Sequence, residues 1–107
     1  MRNLSCERKI LSDYGFDSNV AGFYYWIDAI KIYINLKEKI NIQEIYNKIA
    51  HSYKLKKNTI SNEMSKAKKT TNDIIKENYR DNNKLVKFLS RKVLFEKEKR
   101  KCEEVEE

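Results

Sequence analysis

The sequence predicts an all-α protein, a bundle of five or six helices that contains a helix-turn-helix. The 107 residues include no Pro and only two Gly, so the signals that end strands and open hairpins are sparse. Apolar residues recur three and four positions apart along most of the chain, which is the period of a buried helix face. The length is enough for one hydrophobic core, so residues 1–100 are expected to form a single domain.

The first two helices are predicted at about residues 3–14 and 18–37. Gly15 is expected to end the first helix, because glycine readily adopts the left-handed conformation found just after a helix. Asp17 or Ser18 is expected to cap the start of the second, since a short polar side chain can accept a hydrogen bond from the first-turn amides.

The second helix is the most apolar stretch of the chain and is expected to form the centre of the core. Gly22 lies within it, where glycine is unfavourable by roughly 1 kcal/mol relative to Ala. A close helix crossing is a physical reason for a missing side chain there. The predicted apolar surface consists of Val20, Phe23, Tyr24, Trp26, Ile27, Ile30, Tyr33 and Ile34.

The third helix is predicted at about residues 42–53. Asn41 suits its N-cap, and Glu44 stands three positions later, as in a capping box. An apolar stripe should face inward, made of Ile42, Ile45, Ile49, Ala50 and Tyr53.

A basic turn, Lys54 to Lys57, separates this helix from a fourth at about residues 58–78, with Asn58 as its cap. The inward side of the fourth helix is predicted to comprise Ile60, Met64, Ala67, Thr71 and Ile74. Its opposite side is polar and cationic. That side comprises Asn58, Asn62, Ser65, Lys66 and Lys69.

A fifth helix is predicted at about residues 81–99 and should return to cover the core. Its inward face is expected to include Leu85, Phe88, Leu89, Lys92 and Phe95. Residues 101–107 have almost no apolar repeat and are expected to form an acidic, disordered tail.

The third and fourth helices with their basic turn have the layout of a DNA-binding helix-turn-helix. Asn can pair with adenine, Ser and Thr can bond to bases or phosphates, and Lys supplies phosphate contacts. The expected base contacts are Asn58, Thr59, Ser61, Asn62, Ser65, Lys66 and Lys69. The expected phosphate contacts are Lys54, Lys56, Lys57 and Lys68.

Charge is distributed unevenly along the chain. Residues 1–53 carry seven Lys and Arg against six Asp and Glu, residues 54–101 carry sixteen against six, and residues 102–107 carry four Glu. A basic region that begins at the turn favours a polyanionic partner such as double-stranded DNA, by counterion release. The alternative is that Lys, Asn, Ile and Tyr reflect an AT-rich genome and that the lysines only solvate exposed helices.

No catalytic residue, metal site or cofactor is expected. His51 is the one histidine, and no arrangement of nucleophile, base and acid can be assembled around it. Cys6 and Cys102 are isolated, so they predict a reduced cytoplasmic protein, with a disulfide between the termini as the alternative. No stretch approaches the roughly 18 apolar residues of a membrane span, and no membrane association is expected.

Two segments together resemble a known family over roughly residues 8–75. The segment YGFDSNVAGFYYWIDAI, residues 14–30, is similar to the start of the C-terminal effector domain of stage zero sporulation protein A, a response regulator that starts endospore formation. The matching features are Gly15, Gly22-Phe23, Tyr25 and Ala29-Ile30. The apolar positions of the next two helices also match those of this family in phase. They are Ile45-Tyr46, Ile49-Ala50, Tyr53, Ile60, Met64 and Ala67.

The resemblance implies a bundle of five or six helices that reads the DNA major groove through its fourth helix and pairs as two copies on repeated half-sites. The family carries long charged side chains at the positions of Thr59, Ser61, Asn62 and Ser65, where this chain has short neutral ones. Either the chain reads a different, more A·T-rich sequence or it binds DNA with little specificity. The family also places a receiver domain before this module, so aspartyl phosphorylation is not expected to be a switch in this chain.

A different class of function is also open. With an altered recognition helix, the same fold could be a protein-interaction module that has lost DNA contact and modulates a homologous regulator or RNA polymerase. A gel shift run beside co-purification would separate the two.

Overall fold

The computed structural model describes residues 6–37 and 39–106, with side chains described as far as residue 99. Within those ranges the chain forms six α-helices and no strand, so the predicted all-α class is confirmed. The helices are α1 Cys6–Asp13, α2 Ala21–Asn35, α3 Ile42–Tyr53, α4 Lys57–Lys68, α5 Asp73–Asn78 and α6 Asn82–Glu106.

The second helix is the centre of the bundle, as predicted. Phe23, Trp26 and Ile30 have no exposed surface, and α2 contacts α1, α3, α4 and α6. Because α2 is buried on several sides, its apolar surface is wider than the single stripe of a surface helix. One predicted member, Tyr24, is instead exposed.

The end of α1 follows the prediction for Gly15, which has a φ of +89°. The amide of Gly15 donates to the carbonyl oxygen of Ser12, and the amide of Phe16 donates to that of Leu11, both at 3.0 Å. This pair of bonds satisfies two carbonyls that the helix end would otherwise leave open.

The predicted cap of α2 is wrong. The helix begins at Ala21, with Val20 as an N-cap whose side chain makes no capping bond. Asp17 instead accepts the amide of Asn19 at 2.9 Å, which stabilises the turn before the helix. The helix therefore starts three residues later than predicted and ends two residues earlier.

The bounds of α3 and its capping box are confirmed. The Asn41 side chain accepts the amide of Glu44 at 3.0 Å, and the Glu44 carboxylate lies 3.5 Å from the amide of Asn41. Ile45, Ile49 and Ala50 are buried as expected. Ile42 is half-buried and packs against the core. The prediction is wrong for Tyr53, which is exposed.

The predicted fourth helix is in fact two helices, because the chain turns between Lys68 and Asp73. The hydroxyls of Thr70 and Thr71 donate to the carbonyl oxygens of Ala67 and Lys68, both at 2.6 Å. The side chain of Asn72 accepts the amide of Ile75 at 3.2 Å and so caps α5.

Contacts with the start of the bundle hold this turn in place. Asp17 donates its amide to the Thr70 hydroxyl at 2.9 Å, and the amide of Asn72 donates to the carbonyl oxygen of Tyr14 at 3.1 Å. The turn changes the phase of the apolar pattern. Ile75 is therefore buried, whereas Ile74, predicted to be inward, is 62% exposed.

The last helix is longer than predicted and runs to Glu106. Its backbone thus includes most of the segment predicted as an acidic tail, whose side chains lie outside the described residues. Leu85 and Leu89 are buried as expected, but Phe95 is 68% exposed. Val86 and Val93 are buried instead. Leu85, Leu89 and Val93 are spaced four residues apart, so they share the side of α6 that faces the core, and Val86 lies next to that side.

None of the described helices combines the length and apolar character needed to cross a membrane. Cys6 is a buried free thiol. The Cys102 side chain lies outside the described residues, so the alternative of a disulfide between the termini is not tested by the structure.

Candidate functional site

Two helices joined by a short basic turn form the candidate site. The turn is residues 54–56, one residue shorter than predicted. It closes because Lys54 is left-handed, with φ 57° and ψ 44°, and because the amide of Leu55 donates to the carbonyl oxygen of Ala50 at 2.9 Å. The predicted cap Asn58 is wrong: α4 begins at Lys57, and Lys56 is an N-cap without a side-chain bond.

The inner side of α4 packs directly against α2. A Cβ atom at Gly22 would overlap the carbonyl oxygen of Glu63, which confirms the close crossing predicted there. The indole Nε1 of Trp26 donates to the carbonyl oxygen of Met64 at 2.8 Å. Ile60, Met64 and Ala67 have no exposed surface, so this side of the helix is completely covered.

A polar network holds the C-terminal end of α4 against the start of α6. The buried Asn82 side chain donates to the Tyr46 hydroxyl at 2.9 Å and lies 3.5 Å from the Ser65 hydroxyl. The Lys68 ammonium donates to Asn82 Oδ1 at 2.7 Å and to the carbonyl oxygen of Arg80 at 2.5 Å.

The network changes the environment of Lys68. Burial lowers the pKa of the Lys68 ammonium below its ordinary value, and the Asp81 carboxylate partly opposes this effect. Lys68 was predicted to contact phosphate, but its side chain is half-buried and its ammonium is bonded to Asn82 and to the Arg80 carbonyl oxygen. Its ammonium already makes two hydrogen bonds there, so the exposed cations near the site are those of the turn together with Lys66 and Lys69.

The outer side of α4, with its C-cap Lys69, presents four exposed polar side chains, Asn58, Asn62, Lys66 and Lys69. Their spacing of four, four and three residues places them on one face of the helix. Lys66 is paired with Glu63 at 3.3 Å, while two thirds of its side chain stays exposed. This face is rigidly placed, because the opposite side of the same helix is packed and hydrogen-bonded.

The remaining predicted base contacts are less accessible. Thr59, Ser61 and Ser65 are half-buried, and Ser65 is directed toward Asn82 in the polar network. Among the predicted phosphate contacts, Lys54 and Lys56 are exposed and Lys57 is half-buried. The residues predicted from the sequence therefore divide into an outer group and a group that borders the core.

Sequence reasoning missed two features beside the turn. Leu55 is 43% exposed at the tip of the turn, although its flanking lysines were recognised. The Tyr53 hydroxyl donates to Asp28 Oδ2 at 2.6 Å, and this bond, with partial burial, raises the pKa of Tyr53 to about 12. The apolar stripe of α3 could not reveal Asp28 as the partner of Tyr53, because Asp28 lies 25 residues away in the sequence.

Titratable residues elsewhere do not gather into a metal centre. Among residues 6–37 and 39–99, no three His, Cys, Asp or Glu side chains converge as metal ligands. His51 is exposed on α3, where it borders a shallow depression with Asn47 and Lys48.

Comparison with protein-family models, with curated proteins and with solved structures finds no match to the chain.

Proposed function

We propose that this chain is a sequence-specific DNA-binding transcriptional regulator that inserts the outer face of α4 into a major groove. The observation that carries the proposal is a row of exposed polar side chains, Asn58, Asn62, Lys66 and Lys69, on a helix whose other side is fully packed. A major groove admits an α-helix, and base edges are read by short polar and cationic groups of this kind.

The two asparagines are the groups best suited to base recognition. An exposed Asn side chain can pair bidentately with adenine, because its amide NH₂ donates to N7 and its amide oxygen accepts from the N6 amino group. Thr59, at the edge of the face, can contact a thymine methyl group. These chemistries favour a target richer in A·T pairs than the target implied by the long charged side chains of the sporulation regulators.

The turn supplies the cations that hold the backbone. Lys54 and Lys56 are exposed at the N-terminal end of α4, and Lys57 begins that helix. A helix N-terminus also favours phosphate through its free amides and its dipole. Such contacts add affinity that does not depend on base sequence.

Resemblance to the effector domain of stage zero sporulation protein A supports the same proposal. The packing of α4 on α2 at Gly22 lies within the segment that carries the resemblance. Under this proposal two copies would bind repeated half-sites, and the chain would act in the regulation of transcription during sporulation.

The salt dependence of duplex binding tests the phosphate contacts. Fluorescence anisotropy on AT-rich and random duplexes would be compared for the wild type and the variant Lys56→Ala with Lys57→Ala. We expect weaker binding to both duplexes and a salt slope reduced by about one to two units. The matched control removes two other exposed lysines, Lys76→Ala with Lys84→Ala.

An unchanged slope in the turn variant, or an equal change in the control pair, would remove the phosphate role. The absence of any binding at micromolar protein in low salt would contradict the proposal as a whole.

A second candidate is a protein-interaction module that has lost DNA contact. Exposed Leu55 at the turn favours it, as does the pairing of Lys66 with Glu63, which places a carboxylate beside the face. The partner would be RNA polymerase or a homologous regulator. Co-purification of one of these with the wild type but not with Leu55→Ser, together with no gel shift, would support it.

A further inference from the structure

A concave surface lies at the opposite end of α3 from the turn. It has a volume of about 440 Å³, which is within the size range of small-molecule sites. The loop before α3 contributes Lys39 and Asn41, α3 contributes Glu44, and the first turns of α6 contribute Asn83, Lys87 and Arg91. We name these six residues the basic groove.

Cations outnumber carboxylates in the basic groove. Lys39, Lys87 and Arg91 are all exposed, and none of them takes part in an ion pair within the described part of the chain. Lys87 and Arg91 stand four residues apart on α6, where like charges repel each other. An anion held between them would relieve that repulsion.

The carboxylate of the groove is already engaged. Glu44 faces the backbone amide of Asn41 in the capping box of α3. Its position at the helix start compensates part of the dipole there, and among the described residues it forms no ion pair with the three cations on the other walls. The net charge of the lining side chains is positive.

Neutral donors complete the lining. The amide groups of Asn41 and Asn83 can donate hydrogen bonds, and the N-terminal end of the 12-residue α3 points its dipole toward the groove. The guanidinium of Arg91 offers a planar pair of donors that fits two oxygens of one tetrahedral anion. Three cations with directional donors are better suited to bind a multiply charged oxyanion than to bind a ligand with a single carboxylate.

We propose that the basic groove binds phosphate groups. The phosphate could come from a free phosphorylated small molecule or from the backbone of a bound duplex, and the second source rests on the proposed function. The 12 residues of α3 span about 18 Å at 1.5 Å per residue, so the groove is separate from the lysines of the turn.

The test uses the full chain and tripolyphosphate as the probe of the free source. Calorimetric titration would compare the wild type with Lys87→Ala and Arg91→Ala combined. The control pair is Lys76→Ala with Lys84→Ala, which removes the same charge from α5 and α6 outside the groove. We expect at least a tenfold weaker affinity in the groove variant and less than a twofold change in the control.

A second arm measures binding of a duplex at several salt concentrations with the same proteins. If tripolyphosphate does not bind, a salt slope lowered by about two units in the groove variant alone supports the backbone as the source. Because the altered side chains are exposed, circular dichroism should show unchanged folding. Should the double variant fail to fold, Lys39→Ala in the loop replaces it.

The proposal is overturned if the groove and control variants bind both tripolyphosphate and duplex equally well, or if the wild type binds neither. The outcome also separates the two proposals. Duplex binding that depends on the turn lysines but not on the groove, together with an unchanged affinity of the groove variant for tripolyphosphate, leaves the proposed function standing and removes the basic groove as a phosphate site.

Discussion

The two sides of α4 differ sharply in burial and packing. The inner side meets α2 so closely that Gly22 leaves no space for a methyl group, and Trp26 bonds to a backbone carbonyl of the helix. The outer side carries Asn58 and Asn62, which are exposed. One side is fixed by the fold, and the other has no structural task.

This difference teaches that the position of α4 does not depend on its outer residues. The Trp26 bond is made to the backbone oxygen of Met64, and Gly22 lies close to the backbone of Glu63, so both features would be retained with any sequence on the outer side. Changes outside should therefore alter binding without altering stability, whereas changes inside should alter both. The following predictions test that separation.

Gly22→Ala should have the largest effect. Its new methyl group would overlap the Glu63 carbonyl oxygen, so α4 must move away from α2. We expect the free energy of unfolding to fall by about 3 kcal/mol, as measured by urea denaturation. Asn62→Ala on the outer side should change it by less than about 0.5 kcal/mol. Similar values for the two variants would contradict the comparison.

Asn82→Ala should have the next largest effect on stability. The change removes the Asn82 partner of the buried Tyr46 hydroxyl and one of the two acceptors of the Lys68 ammonium, and unpaired buried polar groups destabilise by about 1–3 kcal/mol. The neighbouring Asn83→Ala is the control, because Asn83 belongs to the basic groove and not to this network. Equal denaturation midpoints for the two variants would show that the network does not hold α4.

Lys54→Gly should separate stability from binding. Lys54 is left-handed, a conformation that favours glycine, so we expect a gain of about 0.5–1 kcal/mol in the free energy of unfolding. Loss of the cation should at the same time lower the salt slope of duplex binding by about one unit. Lys56→Gly, where the backbone is extended, should give no gain in stability. A less stable Lys54→Gly protein would refute the reasoning.

The smallest effect concerns pH. The pKa of Tyr53 is raised to about 12, chiefly by its hydrogen bond to Asp28, so this bond stabilises the fold fully below the ordinary tyrosine pKa of about 10. The stabilisation is lost as pH rises from about 10 to about 12. Because Tyr53 is 43% exposed, water screens the pair and the contribution should be under about 1 kcal/mol.

An absorbance titration of tyrosinate, taken as the difference between the wild type and Tyr53→Phe, measures this pKa. Asp28→Ala should move it down toward 10. Ionisation of Tyr53 near 10 in the wild type would contradict the hydrogen bond.

Local signals made much of the fold predictable from the sequence. Asn41 and Glu44 identify the start of α3 because both capping groups lie within one turn of it. Gly15 identifies the end of α1 because the chain needs a left-handed backbone there, and glycine adopts this conformation readily. The break after Lys68 was missed because the apolar period continued through Thr71. Asn72 is a typical N-cap residue and could have indicated the start of a new helix.

Other features depend on residues far apart in the chain. The ammonium of Lys68 is directed into the fold by Asn82, 14 residues away, and the hydroxyl of Tyr53 is bonded to Asp28. The sequence alone could not place these side chains, since their partners come from other helices. It did predict Asn58, Asn62, Lys66 and Lys69 on one outer face, because the helical period alone determines which residues share a side.

Selection of bound duplexes from a random pool, with the wild type and Asn62→Ala, tests the central claim most directly. If the outer face of α4 reads bases, the wild type should enrich a defined motif that contains A·T pairs. Asn62→Ala should relax the preference at one position, at a cost of about 1–3 kcal/mol there, while stability is unchanged. No enriched motif, or the same preference at every position in both proteins, would contradict it.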